Sequence, residues 1–468
     1  MKLANRVNRT LIIGIVGGSL AFLACGCARG GDDAKTSGLV RSVLSNGLTV
    51  IVQPVAGTKR VGVEFIYRAG IVDEPEGRTQ IAHFVEHLAC KSPTETYRAG
   101  ESWNLLQEKG AANAETLPTF THYDYGVAAA DLELVMKIEA DRLRALRLDP
   151  EVNKREASYC YSEINNLQKM ENAPVVKFAT MAANQSWRFG SERANVASGL
   201  ETIPMEEIAA FYRANYHPGN LVIVVSGGAS PDNVLRLVKK HFENLNLPAP
   251  PPREPVDWSS LPPVGVITWD SSVTGVFVWF EPPGDPLDRV ILSLWGNLAR
   301  LHLSQDVEIN AVVRFIMTPS HIWPVGRLPF FVYASVGPGY NADQVHRAIS
   351  DRVEHLKKEI MESVDVPQFQ TLVDQLAFQS TLSQQAIAAQ LQFLTEQRGM
   401  ADDRAMEQIL LQHSMNLGVR DVFLGGDVDA RLAELRLVDA SRLSSLIERC
   451  LDPAGRHVTI VRAAGDGR

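Results

Sequence analysis

At 468 residues the chain has room for two or three domains of roughly 100–250 residues each. Hydrophobic residues make up 45% and charged residues 21%, which excludes wholesale disorder, collagen and a coiled-coil rod. The formal charge of −8 argues against a nucleic-acid binder, because phosphate recognition needs clustered Lys and Arg, and five cysteines are too few for a disulfide scaffold.

Lys2, Arg6 and Arg9 precede an apolar run from Leu11 to Ala24, shorter than the roughly 20 residues of a permanent membrane-crossing helix. The run ends in Phe22-Leu23-Ala24-Cys25-Gly26-Cys27 and then turns polar, which resembles the cleavage box of bacterial lipoproteins. Residues 1–27 therefore read as a signal peptide of lipoprotein type, with Cys25 or Cys27 lipidated, and residues 28–39 as a flexible tether. Leu23 stands one position too close for Cys25 and Ala24 takes the usual Leu place for Cys27, so either cysteine stays open, as do plain secretion and an uncleaved anchor. The expectation is an exported protein, periplasmic or at the cell surface, lipid-anchored to a bacterial membrane.

Two short β-type runs flank Asn46-Gly47, a strong hairpin signal, and Arg60–Ala69 reads as a further strand. The spacing predicts helices over Thr79–Cys90 and Tyr97–Lys109, a β segment near Asn113–Ala128, and helices from Leu132 to about Tyr216. Leu221–Val225 is a buried strand, followed by a helix through Phe242. A proline-rich connector covers residues 248–264.

The second half echoes the first. Ile203 to Pro218 matches Val438 to Pro453 at a constant offset of 235, each followed by a Val/Ile strand, and Val61–Tyr67 matches Gly275–Phe280 in alternation. The expected fold is α+β, made of two duplicated half-domains, each a mostly antiparallel sheet packed with helices. The first spans 40–247 and carries the metal site; the second spans 265–465 and lacks one, since Leu294–Arg300, at the matching place, holds no His or acid.

The chemistry centres on His83-Phe84-Val85-Glu86-His87. On a helix, positions i, i+3 and i+4 share a face, so two imidazoles and a carboxylate project together. That pattern suits one Zn²⁺ per chain, with Glu86 beside the open coordination position. A third ligand is needed, and the helical run Glu156–Leu167 offers two carboxylates, Glu156 and Glu163, two turns apart on one face.

With 75 residues between His87 and Glu163, and Glu156 seven before it, the chain resembles the inverzincin metallopeptidases that include pitrilysin, insulin-degrading enzyme and the mitochondrial processing peptidases. Asn46-Gly47, Asp73-Glu74-Pro75, Asn113-Ala114 with Thr116, and Tyr216-His217-Pro218 extend the resemblance over nearly the whole mature part. It implies His83, His87 and Glu163 as zinc ligands, Glu86 as general base, and Glu156 orienting a ligand histidine. It also implies Asn113 and Ala114 on an edge strand that pairs with an extended peptide. Half-sized relatives work as dimers, which implies a homodimer or a heterodimer with a related chain.

Departures from the family pattern are Gln80 where Gly is usual, and Arg327 with Tyr333 six apart where an Arg and a Tyr seven apart contact the substrate. Strand packing is the other reading of that pair, and Arg314 is a weaker substitute. Cys90 and Cys160 stand three residues from His87 and Glu163, so they read as a disulfide or as two small buried apolar residues. His122 and His321 have no ligand-like linear spacing and read as strand or loop histidines, and the aromatics around His122 suit sheet packing. The leading function is a zinc endopeptidase acting on extended or unfolded peptides in a cleft between the half-domains. The alternative is a catalytically weak or non-enzymatic scaffold subunit of the same fold.

Overall fold

The computed structural model describes residues 38–75, 78–117, 119–167, 174–175, 178, 199–245, 247, 264–269, 273–318, 329–363, 369–373, 384–397, 399–424 and 428–463. The leader with Cys25 and Cys27, nearly all of the proline connector, Arg327 and His321 lie outside these residues. No helix among the described residues is long and apolar enough to cross a membrane.

The first half runs β1 (Val40–Val43), β2 (Thr49–Pro54), β3 (Arg60–Tyr67), helix α1 (Ile81–Lys91), α2 (Glu101–Lys109), β4 (Ala111–Thr116), β5 (Thr121–Ala128), α3 (Leu132–Ala145), α4 (Pro150–Leu167), α5 (Met205–Asn215), β6 (Leu221–Gly227) and α6 (Pro231–Phe242). The second runs β7 (Val264–Trp269), β8 (Gly275–Phe280), α7 (Pro286–Gln305), α8 (Val307–Val312), β9 (Val313–Met317), β10 (Phe330–Val336), α9 (Ala342–Ser363), α10 (Gln384–Gln392), α11 (Asp402–Leu424), α12 (Val428–Arg436), α13 (Ala440–Cys450) and β11 (His457–Ala463).

The strand order is β1-β2-β6-β3-β5-β4 in one sheet and β7-β11-β8-β10-β9 in the other. Without β1 the two orders are the same when strands are counted from the start of each half. The pairing sense agrees too: β2 with β6 and β7 with β11 are parallel, and the remaining pairs are antiparallel. The duplication read from residues is thus a duplication of topology, with β3 matching β8 and β6 matching β11.

Local chemistry sets the element ends. Asn46-Gly47 makes the β1–β2 turn, with Gly47 at φ +86°, and Asn46 Nδ2 donates to the Phe242 carbonyl at 2.8 Å, tying the hairpin to the end of α6. Two expectations shift. The helix expected from Tyr97 begins at Glu101, after Gly100 in the left-handed region at φ +74°. The β segment near Asn113–Ala128 is a hairpin, closed by Leu117 N–H donating to the Phe120 carbonyl at 2.8 Å.

Each sheet buries a core against its own helices, the first including α1, α3 and α6 and the second α7, α9 and α13. The opposite face of the first sheet is covered by α11, which comes from the second half. Met415, Leu417 and Val419 pack on Ile51, Ile66, Val222 and Val224. Ser414 Oγ donates to the Gly62 carbonyl at 2.9 Å, and a Cβ on Gly62 would meet the Leu410 backbone at 2.5 Å, so only glycine admits this approach. Asp421 receives Arg41 at 2.6 Å and Arg68 at 3.1 Å, and Glu407 pairs with Arg60. In return Phe178 stacks on Phe277 of β8 with centroids 4.1 Å apart. The two halves are therefore laced by side chains on both sides of the connector.

Candidate metal centre

Helix α1 is built to hold its histidines still. Ile81, Phe84, Val85 and Leu88, at i, i+3, i+4 and i+7, are at most 1% exposed and face the core. Each such side chain contributes roughly 1.5–3 kcal/mol by burial. His83, Glu86 and His87 take the other face. The helix start has no Ser, Asp or Asn cap on its own residue; Glu74 supplies the acceptor from six residues upstream. Its carboxylate takes Gln80 N–H at 2.9 Å and Ala82 N–H at 3.2 Å, and burial pushes its pKa up to about 8. Gln80 itself has φ +70°, alone among the described non-glycine residues, at the place where the sequence departs from Gly. Glu74→Ala orphans both amides and is expected to lower unfolding stability by about 2 kcal/mol. Chemical denaturation checks this; an unchanged midpoint would mean the cap is idle.

Helix α4 packs across α1 and presents Glu156, Cys160 and Glu163, one turn apart in succession. Glu163 Oε2 lies 3.4 Å from His83 Nε2 and 3.4 Å from His87 Nε2. The two rings meet edge to face, with centroids 4.9 Å apart. A tetrahedral ion holding such ligands at about 2.0–2.1 Å spaces them about 3.3–3.4 Å apart, so the donor set and its spacing fit zinc. On the other edge of the ring, His87 Nδ1 lies 3.4 Å from Glu156 Oε2.

Charge follows this arrangement. Hydrogen bonds from His83 and His87 hold the Glu163 carboxyl far below the usual range. Burial alone would lower the His87 pKa, but Cys160, Glu156 and Glu163 raise it well above the ordinary imidazole value. Burial alone would raise the Glu156 pKa, and bonds from His87 and Arg155 leave it lowered.

Glu86, 6% exposed, accepts a hydrogen bond from Thr116 Oγ1 of β4 at 2.7 Å through Oε2. Asn113 and Ala114 lie on that same strand, at the edge of the six-stranded sheet, with Asn113 bonded to Asp124. Tyr333 is fully buried on β10, its ring 4.7 Å from Phe277, and Arg314 is exposed on β9.

Cys90 and Cys160 are free buried thiols, the second of the two readings offered for them. Three features escaped the sequence reading. The Cys160 sulfur belongs to the metal-capable group, within 4.8 Å of the ligand nitrogens of His83 and His87. The i, i+4, i+7 pattern of 156, 160 and 163 carried that signal. Thr116 and Glu74 appeared only as residues of the resemblance, without roles.

Residues 49–195 match the model of the insulinase family, peptidase family M16, and residues 202–283 match the family's "Peptidase M16 inactive domain". The chain thus carries both domain types of peptidase family M16. A zinc protease PqqE of Helicobacter pylori is 27% identical over 223 residues, 45% of this M16 chain and 50% of that protein. A mitochondrial-processing peptidase subunit beta of Lentinula edodes is 29% identical over 214 residues, 45% of each. The aligned segment thus spans about half the length of these curated relatives. A solved protease structure from Helicobacter pylori superposes with a TM-score of 0.60 at 19% identity, covering 91% of this chain and 99% of that one, which establishes the fold.

Proposed function

We propose that this M16 chain is a zinc-dependent endopeptidase that hydrolyses extended or unfolded peptides outside the cytoplasm, in a cleft between its half-domains. The observation that carries the reading is the placing of Glu163 Oε2 at 3.4 Å from both His83 Nε2 and His87 Nε2, beside a carboxylate held ready by Thr116. His83, His87 and Glu163 are the residues that would hold one zinc ion. Zinc, when bound, supplies Lewis acidity toward water and toward the scissile carbonyl.

The chain's own residues do the rest. Thr116 occupies Oε2 of Glu86, which leaves Oε1 to take a proton from the attacking water and return it to the departing amine. Glu156 fixes the ring of His87 through Nδ1. The outer edge of β4, beyond Ala111 whose N–H already donates to Glu407, offers backbone groups to an extended peptide alongside Asn113 and Ala114, so recognition rests on main chain and tolerates varied sequences. The burial of Tyr333 favours a packing role over contact with the peptide.

The leader with Cys25 or Cys27 supports export and a lipid anchor, and the relative described as a subunit supports work alongside a second related chain. The test uses the purified protein and a fluorescence-quenched peptide. Cleavage is expected to stop with a chelator and return when zinc is restored. Hydrolysis that continues at the same rate in metal-stripped protein would overturn the proposal.

A further inference from the structure

The face of the first sheet turned away from α1 carries a second group of ligand-type side chains, which the peptidase reading leaves unused. Strand alternation puts them there. On β5, Tyr123 and Tyr125 enter the core with α1, so His122 and Asp124 point to the opposite side. Register extends the group across two neighbours: Glu64 of β3 stands opposite Asp124, and Asn113 and Glu115 of β4 stand opposite Asp124 and His122.

His122 Nδ1 is 3.1 Å from Glu64 Oε2 and 3.8 Å from Asp124 Oδ1, while Nε2 is 3.6 Å from Glu115 Oε2. Glu64 and His122 are 1% and 2% exposed and Asp124 is buried, whereas the Glu115 side chain is 32% exposed and opens the group toward the sheet edge. His122 Nε2 has no hydrogen-bond partner although it is buried.

Three carboxylates thus share a single imidazole. Among the described residues no Lys or Arg pairs with any of them, and the charges acting on Glu64 and Asp124 are each other, His122 and Glu115. An uncompensated buried ion costs several kcal/mol, and burial pushes the Glu64 carboxyl up to about 8 and raises Asp124 as well, so the group takes up either protons or a cation. One imidazole nitrogen with carboxylate oxygens is a donor set for Zn²⁺ or Mn²⁺. Gaps of 3.1–3.8 Å are close to those between ligands sharing one such ion at about 2.0–2.2 Å.

We propose that Glu64, Asp124 and His122 through Nδ1 bind a divalent transition-metal ion, a second site on the opposite face of the sheet from His83, His87 and Glu163, with Glu115 facing the ring's other nitrogen from the sheet edge. The ion ties β3 to β5, and it fixes the ring whose outer nitrogen faces Glu115 of β4 at 3.6 Å.

The test starts from full-length His83→Ala/His87→Ala protein, which lacks both imidazoles of the first group. After metal removal it is titrated with Zn²⁺ alone and with Mn²⁺ alone, then dialysed. Elemental analysis is expected to find about one ion per chain and melting to shift upward. Adding Glu64→Gln and Asp124→Asn is expected to abolish both effects. Folded His83→Ala/His87→Ala protein that retains no metal overturns the site, as does an ion that survives the added substitutions. Should the fourfold variant not fold, electron paramagnetic resonance of the Mn²⁺-loaded double variant decides: coupling to one imidazole nitrogen supports the site, and oxygen-only ligation overturns it. Failure of the first zinc site reads differently, because the parent and His83→Ala/His87→Ala would then bind the same number of ions.

Discussion

Glu86→Gln is expected to keep zinc and lose turnover. The amide is near-isosteric and its carbonyl oxygen still accepts from Thr116 Oγ1, which lies 2.7 Å from the native carboxylate, so the helix and the ligand histidines stay in place. What disappears is a group able to take a proton. General-base catalysis contributes about 10²–10⁴-fold, and a fall in kcat of about 10³-fold corresponds to about 4 kcal/mol of transition-state stabilisation. KM for a quenched extended peptide should move little, since recognition rests on the β4 edge, and zinc content should equal that of the parent. Cleavage by Glu86→Gln at the parental rate would remove the hydrolase mechanism; loss of zinc along with turnover would instead make Glu86 a positioning residue for the ligands.

What the residues alone disclosed was whatever repeats locally. The i, i+3, i+4, i+7 burial of α1 and the seven-residue spacing on α4 are properties of single helices, so both helices were legible, and so was the duplicated strand pattern. The packing of α11 on the first sheet was not. Its contact from Ser414 to Gly62 bridges more than 350 positions, and no local period encodes which sheet a helix will cover. His122 was read as a strand or loop histidine and lies on a strand, but its neighbours were illegible for the same reason. Linear spacing finds ligands that share a helix, whereas Glu64, Glu115 and Asp124 reach His122 across three strands by register. Gln80 shows the reverse case: its departure from glycine was visible at once, and the structure gives the physical content, a left-handed residue ahead of a helix whose first amides lean on Glu74.

Glu163→Gln separates a ligand from a neighbour. Glu163 sits on α4 with 53% of its side chain exposed, so the substitution leaves no buried cavity and the fold should persist. The carboxylate that bridges His83 Nε2 and His87 Nε2 is replaced by a weakly donating amide. Outer partners of a ligand histidine typically cost about 10–100-fold in metal affinity when mutated, which sets the scale for Glu156→Gln; a direct ligand should exceed about 100-fold. Ser162→Ala is the matched control, because its exposed hydroxyl only returns to the Ser158 carbonyl at 3.0 Å. Zinc competition against a chromophoric chelator reads all three in order: Ser162→Ala like the parent, Glu156→Gln weaker, Glu163→Gln weakest. Equal affinity for Ser162→Ala and Glu163→Gln would take Glu163 out of the site. Cys160 would then be the third ligand to test, since its sulfur is the remaining donor beside His83 and His87 among the described residues.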